Sequence, residues 1–400
     1  MKKIFLIAMA GMMMACNGNK PGSAGGDDGD STLVAESEVA KEVTYEYDLE
    51  GIAKRIKGFK GTQSFSEGLA TAQDANGMLG VIDMKGNVVV PFEYDLSIAR
   101  YSEGIICLQK ESEGKYYFFD REGKLLFTAE GDEMNGETEG VNEFHDGLAL
   151  RYSHGHYFYI NRKGEKVFGS DEWQYAGRFS EGMAPVINQD DLCGFINTKG
   201  ELVIPYRFDQ VGECEIEEPF FQEGVAAVTM PDDEDYFNGY IDKTGKRAIA
   251  KTYVTNNPFS EGLALVNYFD EEKNQSLWGY INKKGELVFS LDEGVWGTNF
   301  SEGLAQIHDE DKVLGYIDKT GKLVIKFNGE YQDADPFCEG MARVWNGGLH
   351  GYIDKTGKLV VPCEYVITYG VTFSCGLAAV MKTDGTEGYV DKNGKSTFDF

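Results

Sequence analysis

The sequence predicts an all-β protein built as a tandem array of about nine three-stranded β-meander repeats. Three observations support this prediction. One turn motif recurs through most of the 400 residues, a second turn motif follows it each time, and glycine is frequent (50 residues) while proline is rare (9 residues). No stretch between the motifs has the 3.6-residue apolar spacing of an amphipathic helix, so strands are expected there.

The first motif is an aromatic residue, any residue, an acid and glycine, best written FSEG. It recurs at intervals of 35 to 43 residues, a range typical of solenoids, propellers and other repeat arrays. Glycine is present in every copy, and the acid is replaced only once, by Cys375. The nine copies begin at Phe65, Tyr101, Phe144, Phe179, Phe221, Phe259, Phe300, Phe337 and Phe373.

Each unit has the same order of parts. A large residue, alanine, any residue and a second large residue predict a first strand, as in Leu304–Ile307. A loop of variable length leads to a second strand, as in Gly315–Asp318, and a short turn leads to a third, as in Lys322–Ile325. That turn has Asp or Asn three residues before glycine in every unit. Asp or Asn opens a type I turn by bonding its own backbone, and glycine takes the left-handed position of the following bulge, so a hairpin is expected.

The nine repeats occupy residues 65–400. Residues 44–64 are interpreted as a partial repeat that caps the array, because Tyr45–Asp48 resembles the end of a unit at Phe92–Asp95. We expect an open, solenoid-like superhelical array, since unit lengths differ by up to eight residues and nine blades exceed the usual four to eight of a propeller. A closed β-propeller is the alternative.

Units of the form FSEGLAxV, a variable loop and GYIDKTGKxVIP resemble the WG (KWG) repeat family of bacteria from Phe65 to Phe400. At the start of the second strand, where the Trp-Gly pair that gives the family its name is expected, the pair is present in one unit, at Trp278. The resemblance implies a protein without enzymatic activity. We therefore expect a non-catalytic scaffold whose surface binds a protein partner, with a glycan-binding surface module as the alternative.

The N-terminus predicts export. Residues 1–16 contain two lysines, an apolar run from Ile4 to Ala15 and then Cys16, which is typical of a signal peptide. Met13-Met14-Ala15 before Cys16 resembles a bacterial lipobox, and the resemblance implies lipidation of Cys16. Residues 17–43 are predicted to be a flexible Gly/Asp/Ser tether. The lipoprotein resemblance further implies an outer-membrane location, facing the periplasm or the outside, with membrane contact through the lipid anchor only.

Composition and motifs exclude several function classes. With 38 basic against 66 acidic residues the formal charge is -28, which argues against nucleic acid as a partner. The chain has no GxSxG or HExxH motif and only five histidines, so no catalytic residue is assigned. The six cysteines after Cys16 have no zinc-ligand spacing and are expected to be buried or partly buried free thiols, with disulfides as the alternative. No metal or cofactor is predicted.

The acids of FSEG occupy one equivalent place in eight units, whereas an active site needs one asymmetric group of residues. Each carboxylate is therefore expected to accept backbone N–H groups, either in its own turn or from the adjoining unit, with a repeated ligand site as the alternative.

The loops between the first and second strands are acidic in units four to seven. Equivalent loops of an array lie along one edge, so we expect one acidic ridge that serves solubility and edge protection, or alternatively weak calcium binding or a basic partner. The ridge consists of Asp190, Asp191, Asp232, Asp233, Glu234, Asp235, Asp270, Glu271, Glu272, Asp309, Glu310 and Asp311.

Two smaller features remain open. His154 and His156 lie in the loop of the third unit and are expected to be surface residues, with weak binding of a transition metal as the alternative. Four tryptophans could stack on a sugar ring, although they do not occupy one common position of the repeat. They are Trp173, Trp278, Trp296 and Trp345.

Overall fold

The computed structural model describes residues 45–97, 101–130, 143–209, 219–231, 236–310, 312–366 and 372–400. Within these ranges the chain forms antiparallel sheets, one α-helix and two short 3-10 helices. Cys16, the predicted signal peptide and the predicted tether lie outside the described residues. Within the described ranges, no helix combines the length and the apolar character needed to cross a bilayer.

The helix α1 spans Leu49–Ile56 and the 3-10 helices span Glu111–Glu113 and Thr397–Asp399. The strands of the first three units are β1 Leu69–Gln73, β2 Leu79–Asp83, β3 Val88–Tyr94, β4 Leu96–Ser97, β5 Ile106–Lys110, β6 Lys115–Phe119, β7 Leu125–Glu130, β8 Phe144–His145, β9 Leu148–Ser153, β10 His156–Asn161 and β11 Lys166–Ser170. The fourth to sixth units contain β12 Tyr175–Ala176, β13 Met183–Ile187, β14 Leu192–Asn197, β15 Leu202–Asp209, β16 Phe221–Gln222, β17 Val225–Pro231, β18 Tyr236–Asp242, β19 Thr255–Asn256, β20 Leu263–Asp270, β21 Gln275–Asn282 and β22 Leu287–Ser290. The last three units contain β23 Trp296–Gly297, β24 Leu304–His308, β25 Val313–Asp318, β26 Leu323–Lys326, β27 Met341–Asn346, β28 Leu349–Asp354, β29 Leu359–Val366, β30 Leu377–Lys382 and β31 Glu387–Asp391.

The seventh unit shows the meander common to the units. Its strands pair antiparallel in the order β23-β24-β25-β26. Leu304 pairs with Asp318, and His308 pairs with Val313. The FSEG turn and the Asp-x-x-Gly hairpin therefore lie at one end of the sheet, here named the turn face. The loop between the first and second strands lies at the other end, here named the loop face.

The hairpin chemistry predicted from the sequence is confirmed. Asp318 Oδ1 accepts the N–H groups of Thr320 and Lys322 at 2.9 and 3.2 Å, which closes the turn. Gly321 has φ +82°, a left-handed conformation in which other residues are strained. The acid of FSEG is left-handed as well, with φ +53° at Glu302, a strain that the sequence motif does not reveal.

The hydrophobic core lies between successive units. Tyr280 in the second strand of the sixth unit packs on Phe300 of the seventh, with ring centroids 4.9 Å apart. Its hydroxyl donates to the carbonyl of Thr298, two residues before that phenylalanine, at 2.7 Å. Each unit therefore covers its apolar face with the next unit.

The ninth unit meets the first through the same contacts. Tyr389 lies 4.9 Å from Phe65 between ring centroids, and its hydroxyl donates to the carbonyl of Gln63 at 2.7 Å. The units therefore form a closed ring, a β-propeller. The all-β class and the repeated meanders are confirmed, and the arrangement is the predicted alternative, so the expectation of an open array is wrong. The physical reason is that packing between sheets sets the angle between units, while differences in unit length are absorbed in loops and connections.

Residues 45–64, predicted as a partial repeat, contain α1 and lie at this closure. Asp48 caps the helix by accepting the N–H of Gly51 at 3.0 Å. Leu49, Ile52 and Ile56 of the helix are buried in a cluster with residues of the first and ninth units. The segment thus packs against both ends of the repeat region.

Candidate binding surface

The acids of the turn face hold neighbouring units together. Glu261 Oε2 accepts the backbone N–H of Gly303, the FSEG glycine of the next unit, at 2.9 Å. This confirms the prediction that the carboxylate accepts an N–H of the adjoining unit. The same bond joins Glu67 to Gly104, Glu103 to Gly147, Asp146 to Gly182, Glu181 to Gly224, Glu223 to Gly262, Glu302 to Gly340 and Glu339 to Gly376.

A cation completes most of these contacts. Lys319, which follows the aspartate of the hairpin in the next unit, places Nζ 3.0 Å from Glu261 Oε2 and donates to the Glu261 carbonyl at 3.0 Å. We name this arrangement of acid, glycine and cation the carboxylate clamp. Ion pairs of the same kind join Lys243 to Glu181, Lys283 to Glu223, Lys355 to Glu302, Lys392 to Glu339 and Arg162 to Glu103. The repeated acids are therefore used in the architecture of the ring.

The joint between the ninth and first units departs from the clamp. Cys375 stands in the place of the acid, and its Sγ accepts the Gly68 N–H at 3.3 Å. Met84 stands where the lysine would be, and both side chains are buried beside the half-buried Tyr45. Both charges of the clamp are thus replaced together by apolar contact.

The described acidic loops all lie on the loop face. Asp190 and Asp191 follow β13, Asp270 ends β20, and Asp309 follows β24. One carboxylate in each loop bonds locally. Asp191 accepts the Gln174 side-chain N–H at 2.9 Å, Asp270 accepts the Glu272 N–H at 3.0 Å, and Asp309 accepts the Lys312 N–H at 3.0 Å. Glu271, Glu272 and Glu310 are exposed, and Asp232, Asp233, Glu234, Asp235 and Asp311 lie outside the residues whose placement is described.

No metal centre is assembled by the described part of the chain. The described residues contain no group of three or more His, Cys, Asp or Glu side chains that could hold a metal ion. His154 and His156 are exposed in the hairpin between β9 and β10, and His156 Nδ1 lies 3.2 Å from Asp171 Oδ1. Cys107, Cys193, Cys363 and Cys375 carry free thiols. Cys338 is disulfide-bonded, so the expectation of free thiols is wrong at that residue.

A group of half-buried tyrosines on the loop face was missed by sequence reasoning. Tyr152 and Tyr157 pair across the β9–β10 hairpin, with ring centroids 4.7 Å apart. Tyr175 of the fourth unit follows at 5.7 Å from Tyr157. We name these three residues the tyrosine patch. Tyrosine rings bury large area at low entropic cost and are enriched in protein interfaces. Their recurrence near one loop was a signal available in the sequence.

The four tryptophans lie in different environments. Trp173 is buried against Tyr159, and Trp278 is half-buried in the core between the sixth and seventh units. Trp296 is half-buried and stacks on His308, with centroids 4.1 Å apart and planes inclined by 8°. His308 is buried, and burial lowers its pKa while Asp333 and Asp309 oppose that change.

The fourth tryptophan belongs to a polar group in the eighth unit that sequence reasoning missed. Arg343 Nε lies 2.6 Å from Asp335 Oδ2, and the guanidinium lies 4.1 Å from the centre of the Trp345 ring. His350 pairs with Trp345 across β27 and β28, with ring centroids 4.9 Å apart. Burial and the charge of Arg343 lower the pKa of His350 to about 4, so it is neutral at pH 7. We name Asp335, Arg343, Trp345 and His350 the Arg343 cluster.

Comparison with known proteins assigns the repeat to a family. The family model described as "WG containing repeat" matches seven stretches that together exceed half of the chain. They are residues 80–116, 157–192, 194–230, 239–268, 278–312, 315–349 and 351–385. No curated protein sequence matches the chain.

Several solved structures are similar at low sequence identity. The computationally designed Ika8 protein matches at 13% identity and a TM-score of 0.43, over 86% of this chain and 98% of its own. BamB from Moraxella catarrhalis matches at 11% identity and a TM-score of 0.41, over 71% and 92%. Apo AztD from Citrobacter koseri matches at 12% identity and a TM-score of 0.40, over 84% and 92%. At TM-scores below 0.5 these likenesses support no statement about what this chain binds.

Proposed function

The chain belongs to the WG-containing repeat family, and from that premise we propose that it is a non-catalytic scaffold that binds a protein partner through its loop face. The proposal includes export and a lipid anchor in the outer membrane through Cys16. The predicted tether of residues 17–43 would hold the ring away from the bilayer.

The observation that supports this proposal best is the difference between the two faces. On the turn face, acid, glycine and cation recur from unit to unit and bond to one another, as in the clamp of Glu261, Gly303 and Lys319. On the loop face the units differ: the third and fourth units share the tyrosine patch, and the fourth, sixth and seventh carry acidic turns. Side chains that vary between units and lie outside the carboxylate clamps are the ones available for a specific partner.

The composition of the loop face favours a protein with a basic surface. Half-buried tyrosines supply apolar area with a polar tip, as in the central part of protein interfaces. Exposed carboxylates on the same face attract a basic partner from a distance and set its orientation. Glu271 and Glu272 contribute such charges, and neither residue takes part in a carboxylate clamp.

Affinity capture from cell-envelope extracts, with partners identified by mass spectrometry, tests the protein-binding proposal. The test variant replaces Asp190, Glu271 and Glu272 by their amides. The matched control replaces two exposed turn-face acids, Glu122 and Glu201, by glutamine. We expect a specific partner that is lost in the loop variant, retained in the control, and released as salt is raised. Capture that is the same for both variants would contradict the proposal.

The anchor is tested separately. Labelling of cells with a radioactive or clickable fatty acid should mark the wild-type chain and leave Cys16→Ser unlabelled. The Cys16→Ser variant should also be absent from the outer-membrane fraction. Labelling that survives the substitution would contradict a lipid anchor at Cys16.

Half-buried Trp296 and Trp345 favour a second candidate, a glycan-binding surface module. Indole rings stack on the apolar face of sugar rings, and both residues lie at the loop-face ends of their strands. A saccharide array run beside the affinity capture separates the two candidates.

A further inference from the structure

The hairpin between β20 and β21 projects from the loop face further than those of the next two units. Eight residue pairs join its strands, against five in the seventh unit and six in the eighth. The flanking strands β19 and β22 pair with it only as far as Asn267 and Gly279. Its last three pairs therefore form a two-stranded extension of the four-stranded sheet, about 10 Å long at 3.4 Å per residue. We name residues 268–277 the projecting tip.

The projecting tip carries an exposed phenylalanine. Phe269 is 54% exposed, and among the large apolar side chains of the described residues only Phe400, at 56%, is more exposed. Phe269 pairs with Ser276, and Trp278 lies two residues further along β21, so both rings lie on one face of the hairpin. Trp278 is half-buried in the core between the sixth and seventh units. An aromatic strip therefore leads from the core to a ring that the packing of the units does not use.

The turn that ends the projecting tip is fixed by local hydrogen bonds. Asp270 Oδ1 accepts the N–H groups of Glu272 and Lys273 at 3.0 and 3.1 Å. Asn274 has φ +53°, a left-handed conformation that returns the chain to β21. Glu271 and Glu272 are exposed on this turn, next to Phe269 in sequence. A tip that is ordered in advance loses less conformational entropy when a partner binds.

We propose that the projecting tip is the element that docks the protein partner, and that the partner presents an apolar pocket bordered by lysine or arginine. Phe269 fills the pocket, since aromatic side chains are enriched in the buried centre of protein interfaces. Glu271 and Glu272 pair with the basic border, where charges set orientation and the rate of association. The inference rests on the proposed protein-binding function and adds the residue that anchors the partner.

The charges disfavour two other occupants of the tip. The chain has a formal charge of -28, so a second copy would be repelled by its own kind. An anionic lipid surface would be repelled by Glu271 and Glu272. Tyr45, the first described residue, packs with Cys375 and Met84 of the turn face, so the chain enters the ring at the face opposite the tip. A protein with a basic and apolar surface is therefore the occupant that the tip fits best.

The first test places a photocrosslinker at the projecting tip of the full-length chain in its own cells. The photoreactive residue p-benzoylphenylalanine replaces Phe269, and in the matched control it replaces Phe400, the other strongly exposed phenylalanine. We expect irradiation to join position 269, and not position 400, to one protein whose cross-linked peptide holds apolar residues flanked by lysine or arginine. The proposal is overturned if position 269 cross-links to a second copy, to lipid or to nothing, or if both positions give the same products.

The second test titrates the purified cross-linked protein against variants of the tip by calorimetry. We expect Phe269→Ala to bind at least about tenfold more weakly than the wild type and Phe400→Ala to bind equally well. The double variant Glu271→Gln with Glu272→Gln should bind more weakly and with a smaller dependence on salt. Thermal unfolding checks that each variant is folded, which the exposure of Phe269 favours. An affinity of Phe269→Ala within about twofold of the wild type would overturn the proposal.

The outcomes separate this inference from the proposed function. If the wild-type chain captures no partner from the cell envelope, both fail. If capture is lost when Asp190, Glu271 and Glu272 are replaced by their amides but is unchanged in Phe269→Ala, the proposed function stands and the projecting tip is not its anchor. Capture that is lost in Phe269→Ala and retained in Phe400→Ala supports both.

Discussion

Replacing Glu261 by alanine removes one carboxylate clamp from the turn face and leaves the other units unchanged. The substitution leaves the Gly303 N–H without the acceptor that now lies 2.9 Å away. It also removes the ion pair with Lys319, whose atoms are 3.0 Å apart. We expect the free energy of unfolding to fall by about 2 kcal/mol, almost all of it from the lost hydrogen bond to a charged acceptor, which is typically worth about 1.5–3 kcal/mol.

The ion pair contributes little to this figure. The side chain of Lys319 is 43% exposed, so solvent screens its attraction to the carboxylate. Exposed pairs are worth about 0–1 kcal/mol, and Lys319→Met should therefore cost no more than about 0.5 kcal/mol. Glu261→Gln keeps an acceptor for Gly303 without the charge and should cost about 1 kcal/mol.

Backbone strain at Glu261 predicts which of two variants, alanine or glycine, is the more stable. Glu261 has φ +54°, and a residue with a side chain pays about 1 kcal/mol in that left-handed region. Glu261→Gly loses the same hydrogen bond as Glu261→Ala but relieves the strain. The glycine variant should therefore be more stable than the alanine variant by about 0.5–1 kcal/mol, although glycine usually destabilises folded proteins through the entropy of the unfolded chain.

Urea unfolding followed by tryptophan fluorescence and by circular dichroism measures all four variants. The expected order of stability is wild type, glutamine, glycine and alanine. A loss below about 0.5 kcal/mol for alanine would show that the bond to Gly303 is not what holds the units together. A glycine variant less stable than the alanine variant would refute the strain argument.

Three further predictions concern the closure of the ring and the Arg343 cluster. Cys375→Glu alone should destabilise the protein because the new carboxylate has no cation, and Met84→Lys should recover at least about 1 kcal/mol in the double variant, as a thermodynamic cycle would measure. Tyr389→Phe should lower the free energy of unfolding, measured in urea, by about 1 kcal/mol because the hydrogen bond to the Gln63 carbonyl is lost. The same tyrosine-to-phenylalanine change in an interior unit should have an equal effect, and a negligible effect at Tyr389 would contradict closure by this contact. The pKa of His350 is lowered to about 4, so its protonation favours the unfolded chain, and stability should fall as pH drops from about 6.5 to 4. His350→Leu should remove up to about 3 kcal/mol of that pH dependence, since one pKa unit corresponds to about 1.4 kcal/mol, and parallel curves for the two proteins would contradict it.

The parts of the fold that depend on local chemistry could be predicted from the sequence. Asp318 and Gly321 predict a hairpin because an aspartate can bond its own turn and glycine tolerates a positive φ. The structural use of the FSEG acids also followed from their recurrence, and Glu261 shows it. In both cases one residue and its immediate neighbours determine the result.

The closed ring was predicted only as the alternative to an open array, because the angle between units depends on the packing of whole sheets. The helix α1 was missed for another reason. Its signals were present, with Asp48 as a cap and Leu49, Ile52 and Ile56 at helical spacing. The likeness of the preceding Tyr45–Asp48 segment to the end of a unit favoured a repeat instead.

The Arg343 cluster was hidden by its distribution along the chain. Asp335 precedes an FSEG-like turn, Arg343 and Trp345 belong to the first strand, and His350 belongs to the second. Only the pairing of β27 with β28 brings His350 to Trp345. A comparison of the third strand position across units would have singled out the arginine, although it would not have identified its partners.

The chemistry of the closure fits the order in which a ring of repeats can form. Contacts inside the array join residues about one unit apart, whereas Tyr389 and Gln63 are separated by 326 positions. Closing so long a loop has the largest entropic cost, so we expect this joint to form after its neighbours. Until it forms, a clamp at this joint would leave a carboxylate and an ammonium exposed to be desolvated on closure. Cys375 and Met84 avoid that cost, because apolar side chains gain free energy when they leave water. The apolar joint therefore lowers the desolvation cost of closing the ring between its ninth and first units.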